Sequence, residues 1–143
     1  MKQYIGTKIV QAEECPAWKD VGQHKVGDPG YKVRYPDGYE SWSPKFVFDE
    51  AYRPTDGLNF GLALEAAKCG EKIARAGWNG KGMFLYYVPE NAYPPSTNVA
   101  RDAFGGENVP YGAYIAIKTA QGNVVPWLAS QTDMLADDWF IVY

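Results

Sequence analysis

The stretch VPWLASQTDMLADDW, from Val125 to Trp139, crowds Trp127, Ser130, Gln131, Thr132, Asp133 and Met134 together. It follows neither the alternation of a half-buried strand nor the repeat of an amphipathic helix. Polar side chains between two tryptophans suit a pocket for a small, polar, partly aromatic molecule. Ser130 or Thr132 can cap a short helix, DMLADD, whose free N–H groups and partial positive charge would seat phosphate or ribose oxygens. Asp133 falls in its first turn, where a carboxylate either complements the helix dipole on its own account or accepts hydrogen bonds from a sugar diol.

A second such stretch is ARAGWNGKGMF, Ala74 to Phe84, where Gly77, Gly80 and Gly82 surround Trp78 and Asn79. The glycines permit a tight turn and let backbone N–H groups approach a ligand closely. A plain hairpin with an exposed Trp is the other reading. The string is no phosphate loop, since it lacks the Lys-Ser/Thr ending and the following helix. Trp78 and Trp127 either sandwich a purine, where stacking contributes about 1–3 kcal/mol per base, or pack in the core. Arg75 shares a strand face with Ile73 and needs an anion beside it, either a carboxylate or a ligand phosphate.

A hydrolytic reading competes. Asp133, Asp137 and Asp138 with Glu65 would supply an acid–base pair for cleaving a nucleotide or N-glycosidic bond. Against it, no nucleophile–base pair is visible, and the carboxylates have no recognisable metal-site spacing.

The totals narrow the classes further. The chain has 143 residues, enough for one domain or two very small ones. One histidine, His24, expected exposed in a polar loop, and two cysteines, Cys15 and Cys69, without CxxC spacing argue against structural zinc or a His-based triad. The thiols are expected reduced, and no metal or cofactor is expected. The net charge is -3, with 8 basic and 8 acidic residues up to Thr55 and 6 basic and 9 acidic after it. That balance argues against a nucleic acid polymer as partner. There is neither a run of about 20 apolar residues nor a signal-peptide core, so a soluble, intracellular protein off the membrane is expected. Aromatic residues make up 15% of the chain, more than one small protomer buries easily, which predicts a homo-oligomer.

These side chains must be positioned by an α+β fold: an antiparallel sheet covered by a helix, preceded by a small β-plus-helix module over residues 1–55. In that module YIGTKIVQA (Tyr4 to Ala12) reads as a strand and Gly30 to Trp42 as a hairpin folded at Pro36-Asp37-Gly38. A helix follows with Ser43 as N-cap and Pro44 in its first position, stopping near Pro54. In residues 56–143, Asn59 caps a helix with Phe60, Ala63, Leu64 and Ala67 on one stripe and Gly70 as its left-handed stop. Strands are expected at Lys72–Ala76, Met83–Val88, Tyr114–Thr119, Val124–Leu128 and Trp139–Val142, the third and fourth joined at Ala120–Asn123. Residues 89–113, with four prolines and no period, read as a long loop.

NFGLALEAAKCGEKIARAGWNGKGMFLYYVP, taken with YIAIKTAQGNVVPWLASQTDMLADDW, resembles the Thoeris anti-defense 2 family of small phage and prophage proteins. The likeness covers most of residues 58–143, broken by the 89–113 loop, and the WNGKG and PWxASQTDML strings are specific. The first 55 residues resemble a phage module to which no activity is assigned. The resemblance implies a sponge that binds a cyclic ADP-ribose isomer made by bacterial TIR-domain enzymes and holds it uncleaved. It also implies homotetramers with pockets between protomers, and in some members pockets for guanine-containing cyclic dinucleotides of CBASS defense. Carried onto this chain, the ligand wall comprises Asn59, Phe60, Arg75, Trp78, Asn79, Trp127, Ser130, Gln131, Thr132, Asp133 and Met134. The implied location is the cytoplasm of the infected bacterial host. The alternatives left open are the hydrolase and a phage structural protein without a small ligand.

Overall fold

The computed structural model describes residues 1–143 and divides into two compact units, Met1–Pro54 and Thr55–Tyr143. The architecture is α+β, with antiparallel sheets and short helices.

In the first unit, β1 (Gln11–Glu14), β2 (Gly30–Arg34) and β3 (Glu40–Pro44) form a three-stranded antiparallel sheet in that order. The β2–β3 turn closes where expected. Gly38 takes a left-handed φ of 87°, and Asp37 Oδ1 accepts the Tyr39 N–H at 3.0 Å. Val33 is buried, and Tyr31 stacks on Phe48 of α1 (Lys45–Ala51) with ring centroids 4.1 Å apart. Gly30 is required by close approach, because a Cβ there would run into the Trp42 ring and the Ser43 carbonyl.

Three expectations for this unit are corrected. The strand expected from Tyr4 begins only at Gln11, because Gln11 pairs with Arg34 and the β2 chain then turns away, leaving residues 4–10 nothing to pair with. Ser43 lies in β3 and caps nothing. Pro44 instead takes the N-cap position with extended ψ (144°), held by its pairing to Gly30. His24 is half-buried, its ring edge-on to Trp42 at 5.7 Å.

In the second unit, α2 (Phe60–Lys68) lies on a five-stranded antiparallel sheet made from β4 (Lys72–Arg75), β5 (Phe84–Val88), β8 (Tyr114–Lys118), β9 (Val124–Pro126) and β10 (Trp139–Val142), in the order β10-β4-β5-β8-β9. The Asn59 side chain accepts the Leu62 N–H at 2.9 Å, and Gly70 ends the helix at φ 97°. Ala63, Ala66 and Ala67 bring α2 close to the sheet over Ile73, Leu85, Trp139 and Ile141, and these residues form the core.

Residues 89–113 carry structure of their own. β6 (Asn91–Tyr93) pairs with β7 (Val109–Tyr111), and between them Thr97 caps α3 (Asn98–Ala103). Pro94 and Pro95 end β6 rather than break a longer element, and six helical residues are too few to show a period. Likewise α4 spans only Gln131–Met134, not DMLADD, because Asp138 is drawn across to β4 and leads into β10.

Candidate functional site

The two sequence-predicted stretches meet at one end of the second unit. α2 packs against α4 there, and the register places Trp139 of β10 opposite Arg75 of β4. Phe60, Trp78 and Trp127 surround the buried ring of Trp139, at centroid separations of 5.4, 5.5 and 6.0 Å. Trp139 is thus the hub of the wall, a role the sequence reading missed. Its signal was the alternation of Trp139 with Ile141 on the core face.

Beside the rings runs a charged network. Arg75 donates from Nε to Asp138 Oδ1 and from Nη1 to Asp133 Oδ1, both at 2.8 Å. The Arg75 and Asp133 side chains are only 14% and 15% exposed. The anion that Arg75 needed is therefore supplied by two carboxylates. Asp138, considered earlier only as an acid–base group, is a second anchor and also accepts the Gly77 N–H at 2.8 Å.

Asp133 is fully engaged. Its Oδ1 accepts from Arg75 and, at 3.4 Å, from Trp78 Nε1, and its Oδ2 accepts from the Ser130 N–H at 3.1 Å and the Ser130 hydroxyl at 2.8 Å. A carboxylate offers about four lone-pair directions, so none is left over for a sugar diol in this arrangement. Ser130 in turn accepts the Asp133 N–H, completing a capping box, so between the two readings of Asp133 the geometry favours the cap. At the helix start the Asp133 carboxylate takes the Ser130 N–H, while the Gln131 and Thr132 N–H groups make no hydrogen bond. Finally, Trp139 Nε1 donates to the Asp133 carbonyl at 2.9 Å.

Burial pushes the Asp133 carboxyl up, but the hydrogen bonds from Arg75, Ser130 and Trp78 outweigh it and hold it below the usual carboxylate range. The hydrogen bond from Arg75, opposed by burial and helped by the Gly77 N–H, lowers Asp138 too. Neither carboxyl therefore carries a proton to donate at neutral pH. Glu65 stands apart, paired with Lys68 at 3.7 Å on an exposed helix face.

What remains free lies on the rim. The exposed side chains of Asn79, Gln131 and Thr132 make no hydrogen bond within the protein, and Met134 is exposed beside them on α4. Asn59 spends its carbonyl on the α2 cap. The Trp78 and Trp127 rings are 6.5 Å apart and inclined at 58°. A base between two parallel rings needs about 7 Å of clear gap, so these two do not form a sandwich. Their partly exposed faces offer one-sided stacking.

The family model described as the Thoeris anti-defense 2-like domain matches residues 58–142, a span that holds every element of this site. The chain belongs to this family. Over 85 residues it is 42% identical to the protein of Bacillus phage SP01 named Thoeris anti-defense 2, an alignment covering 59% of this chain and 94% of that relative. The Thoeris anti-defense 2-like domain thus coincides with the second unit, and the first unit lies outside the match. No helix in either unit is long and apolar enough to cross a membrane.

Proposed function

We infer that the Thoeris anti-defense 2-like unit binds cyclic ADP-ribose-type immune signals and sequesters them without cleavage, in the cytoplasm of an infected bacterial host. The observation that carries this reading is the composition of the site. An aromatic wall is buttressed by the Arg75–Asp133–Asp138 network, and the unpaired polar side chains of Asn79, Gln131 and Thr132 fringe it. Such a wall offers a π face to a purine and a rim of hydrogen-bonding groups to ribose and phosphate oxygens.

The arrangement supports binding over hydrolysis. A glycosidic acid must hold its proton at working pH, and Asp133 and Asp138 are both held ionised by Arg75. Around the same end, Leu128, Leu135, Val124 and Val125 are exposed, Leu128 by 91%. An apolar fringe of this kind supports a homo-oligomer, as a tetramer, in which a neighbouring protomer closes the pocket. The reading extends to guanine-containing cyclic dinucleotides as further ligands. The test is to incubate the protein with a cyclic ADP-ribose isomer, denature it, and analyse the released nucleotide. Intact ligand supports the sponge, and a linear or deglycosylated product overturns it.

A further inference from the structure

The segment Tyr4–Val10 is built like a strand but has no strand to pair with. Ile5 is fully exposed and Tyr4 is 86% exposed. Residues 1–10 run without helix, turn or bend, and the backbone of residues 1–9 makes no hydrogen bond. No residue of the segment, Gly6 included, takes a left-handed φ. The segment leads into β1, an edge strand, and is left as an unpaired overhang because β2 turns away after Arg34. The Lys8 ammonium lies 4.3 Å from the centroid of the Tyr35 ring at the hairpin tip, and Ile9 and Val10 are partly covered where the segment nears β1. A row of unpaired N–H and C=O groups carrying Tyr, Ile, Thr and Val is a template for another strand.

We propose that this overhang pairs antiparallel with the same segment of a second copy of the chain, about a two-fold axis at Thr7. That register sets Ile5 opposite Ile9 on one face and Tyr4 opposite Val10 on the other, with Gly6 leaving room for the long Lys8 side chain. Lys2 then lies diagonal to Glu14 at both ends, so the charges complement one another. Neighbouring registers are poorer. A shift by two residues opposes Ile9 to Gln3 in one direction and Lys8 to its own copy in the other, while a one-residue shift sets Ile5 against Lys8 or Tyr4 against Gln11. An isolated two-stranded ribbon is marginal in water, but this one is continuous with β1 of both copies and joins two three-stranded sheets. The contact involves only the first unit and stands independently of ligand binding by the second.

Cysteine placement reads the register directly. In the full chain with Cys15→Ser and Cys69→Ser, Thr7→Cys is compared with Gln3→Cys under mild oxidation by oxidised glutathione. Both positions are exposed, but only position 7 meets its own copy. Paired antiparallel residues place their Cα atoms about 4.5–5.5 Å apart, within disulfide reach, whereas the two copies of position 3 lie about 26 Å apart. Thr7→Cys is therefore expected to form a covalent dimer at least about tenfold faster than Gln3→Cys, since a disulfide requires Cα atoms within about 7 Å. Adding Ile5→Lys and Ile9→Lys should abolish that advantage. Equal rates at positions 3 and 7, no covalent dimer from either, or an advantage that survives the lysines would overturn the proposal.

Discussion

Arg75 reaches Asp133 across 58 residues of sequence, Nη1 to Oδ1 at 2.8 Å, and so fixes the short helix α4 to the end of β4. The same guanidinium holds Asp138 at the entrance to β10. Removing the Asp133 side chain ends the capping box and half of the Arg75 pairing together. Asp133→Ala is expected to cost about 2–4 kcal/mol, below the full penalty of a broken buried pair because Arg75 keeps Asp138. Thermal melts would show a markedly lower midpoint. Asp133→Ala melting within a degree of the parent would show that the network is not structural.

The pH dependence follows from the direction of the two shifts. Asp133 and Asp138 are held below the ordinary carboxylate range when folded. The unfolded chain, with its Asp groups near pKa 3.9, therefore takes up protons before the folded one does. Their contribution is complete above about pH 5 and is lost as the pH falls below about 4 through the folded values. Denaturant midpoints measured from pH 7 down to pH 3 should fall at the acid end, and less steeply in Asp138→Asn. A parent midpoint that rises on acidification contradicts this sign.

The free rim separates binding from stability. Thr132→Val and Asn79→Ala remove side chains without partners in the protein, and each should leave the melt within about 0.5 kcal/mol of the parent. Each should weaken ligand binding by about 0.5–1.5 kcal/mol through a lost hydrogen bond. Trp127→Ala should lower affinity by about 1–3 kcal/mol if a base stacks there. Paired titrations and melts on each variant check this, and full affinity in all three would move the ligand elsewhere.

Gly77 tests the close approach that Asp138 demands. A Cβ added at Gly77 would sit 2.9 Å from Asp138 Oδ2, the oxygen that accepts the Gly77 N–H. Gly77→Ala is expected to cost on the order of 1 kcal/mol, while Gly61→Ala, with only the Asn59 side chain nearby at 3.5 Å, should be neutral or mildly stabilising, since Ala favours a helix interior over Gly by about 1 kcal/mol. Chemical denaturation of the two variants side by side gives the comparison.

Much of this was legible because local rules and tertiary packing agree. The Asn59 cap, the stripe of Phe60, Ala63 and Ala67 on α2, the Gly70 stop and the strands of the second sheet follow from periodicity and turn chemistry, while Ala66 takes the core place expected for Leu64. Partners distant in sequence were not legible. Nothing near Arg75 announces that Asp133 and Asp138 fold back onto it, and how much of Tyr4–Ala12 finds a partner within the sheet depends on where the β2–β3 hairpin ends. Length hid the rest, since β6, α3 and β7 are each too short to carry a period.

The most direct test of sequestration is a calorimetric titration of the intact chain with a cyclic ADP-ribose isomer, with nucleotide analysis of the cell contents afterwards. The account predicts saturable binding at a fixed ratio per protomer, recovery of the cyclic nucleotide unchanged, and weaker binding by Trp127→Ala. Absence of binding to any cyclic ADP-ribose isomer, or recovery of a cleaved product, would contradict it.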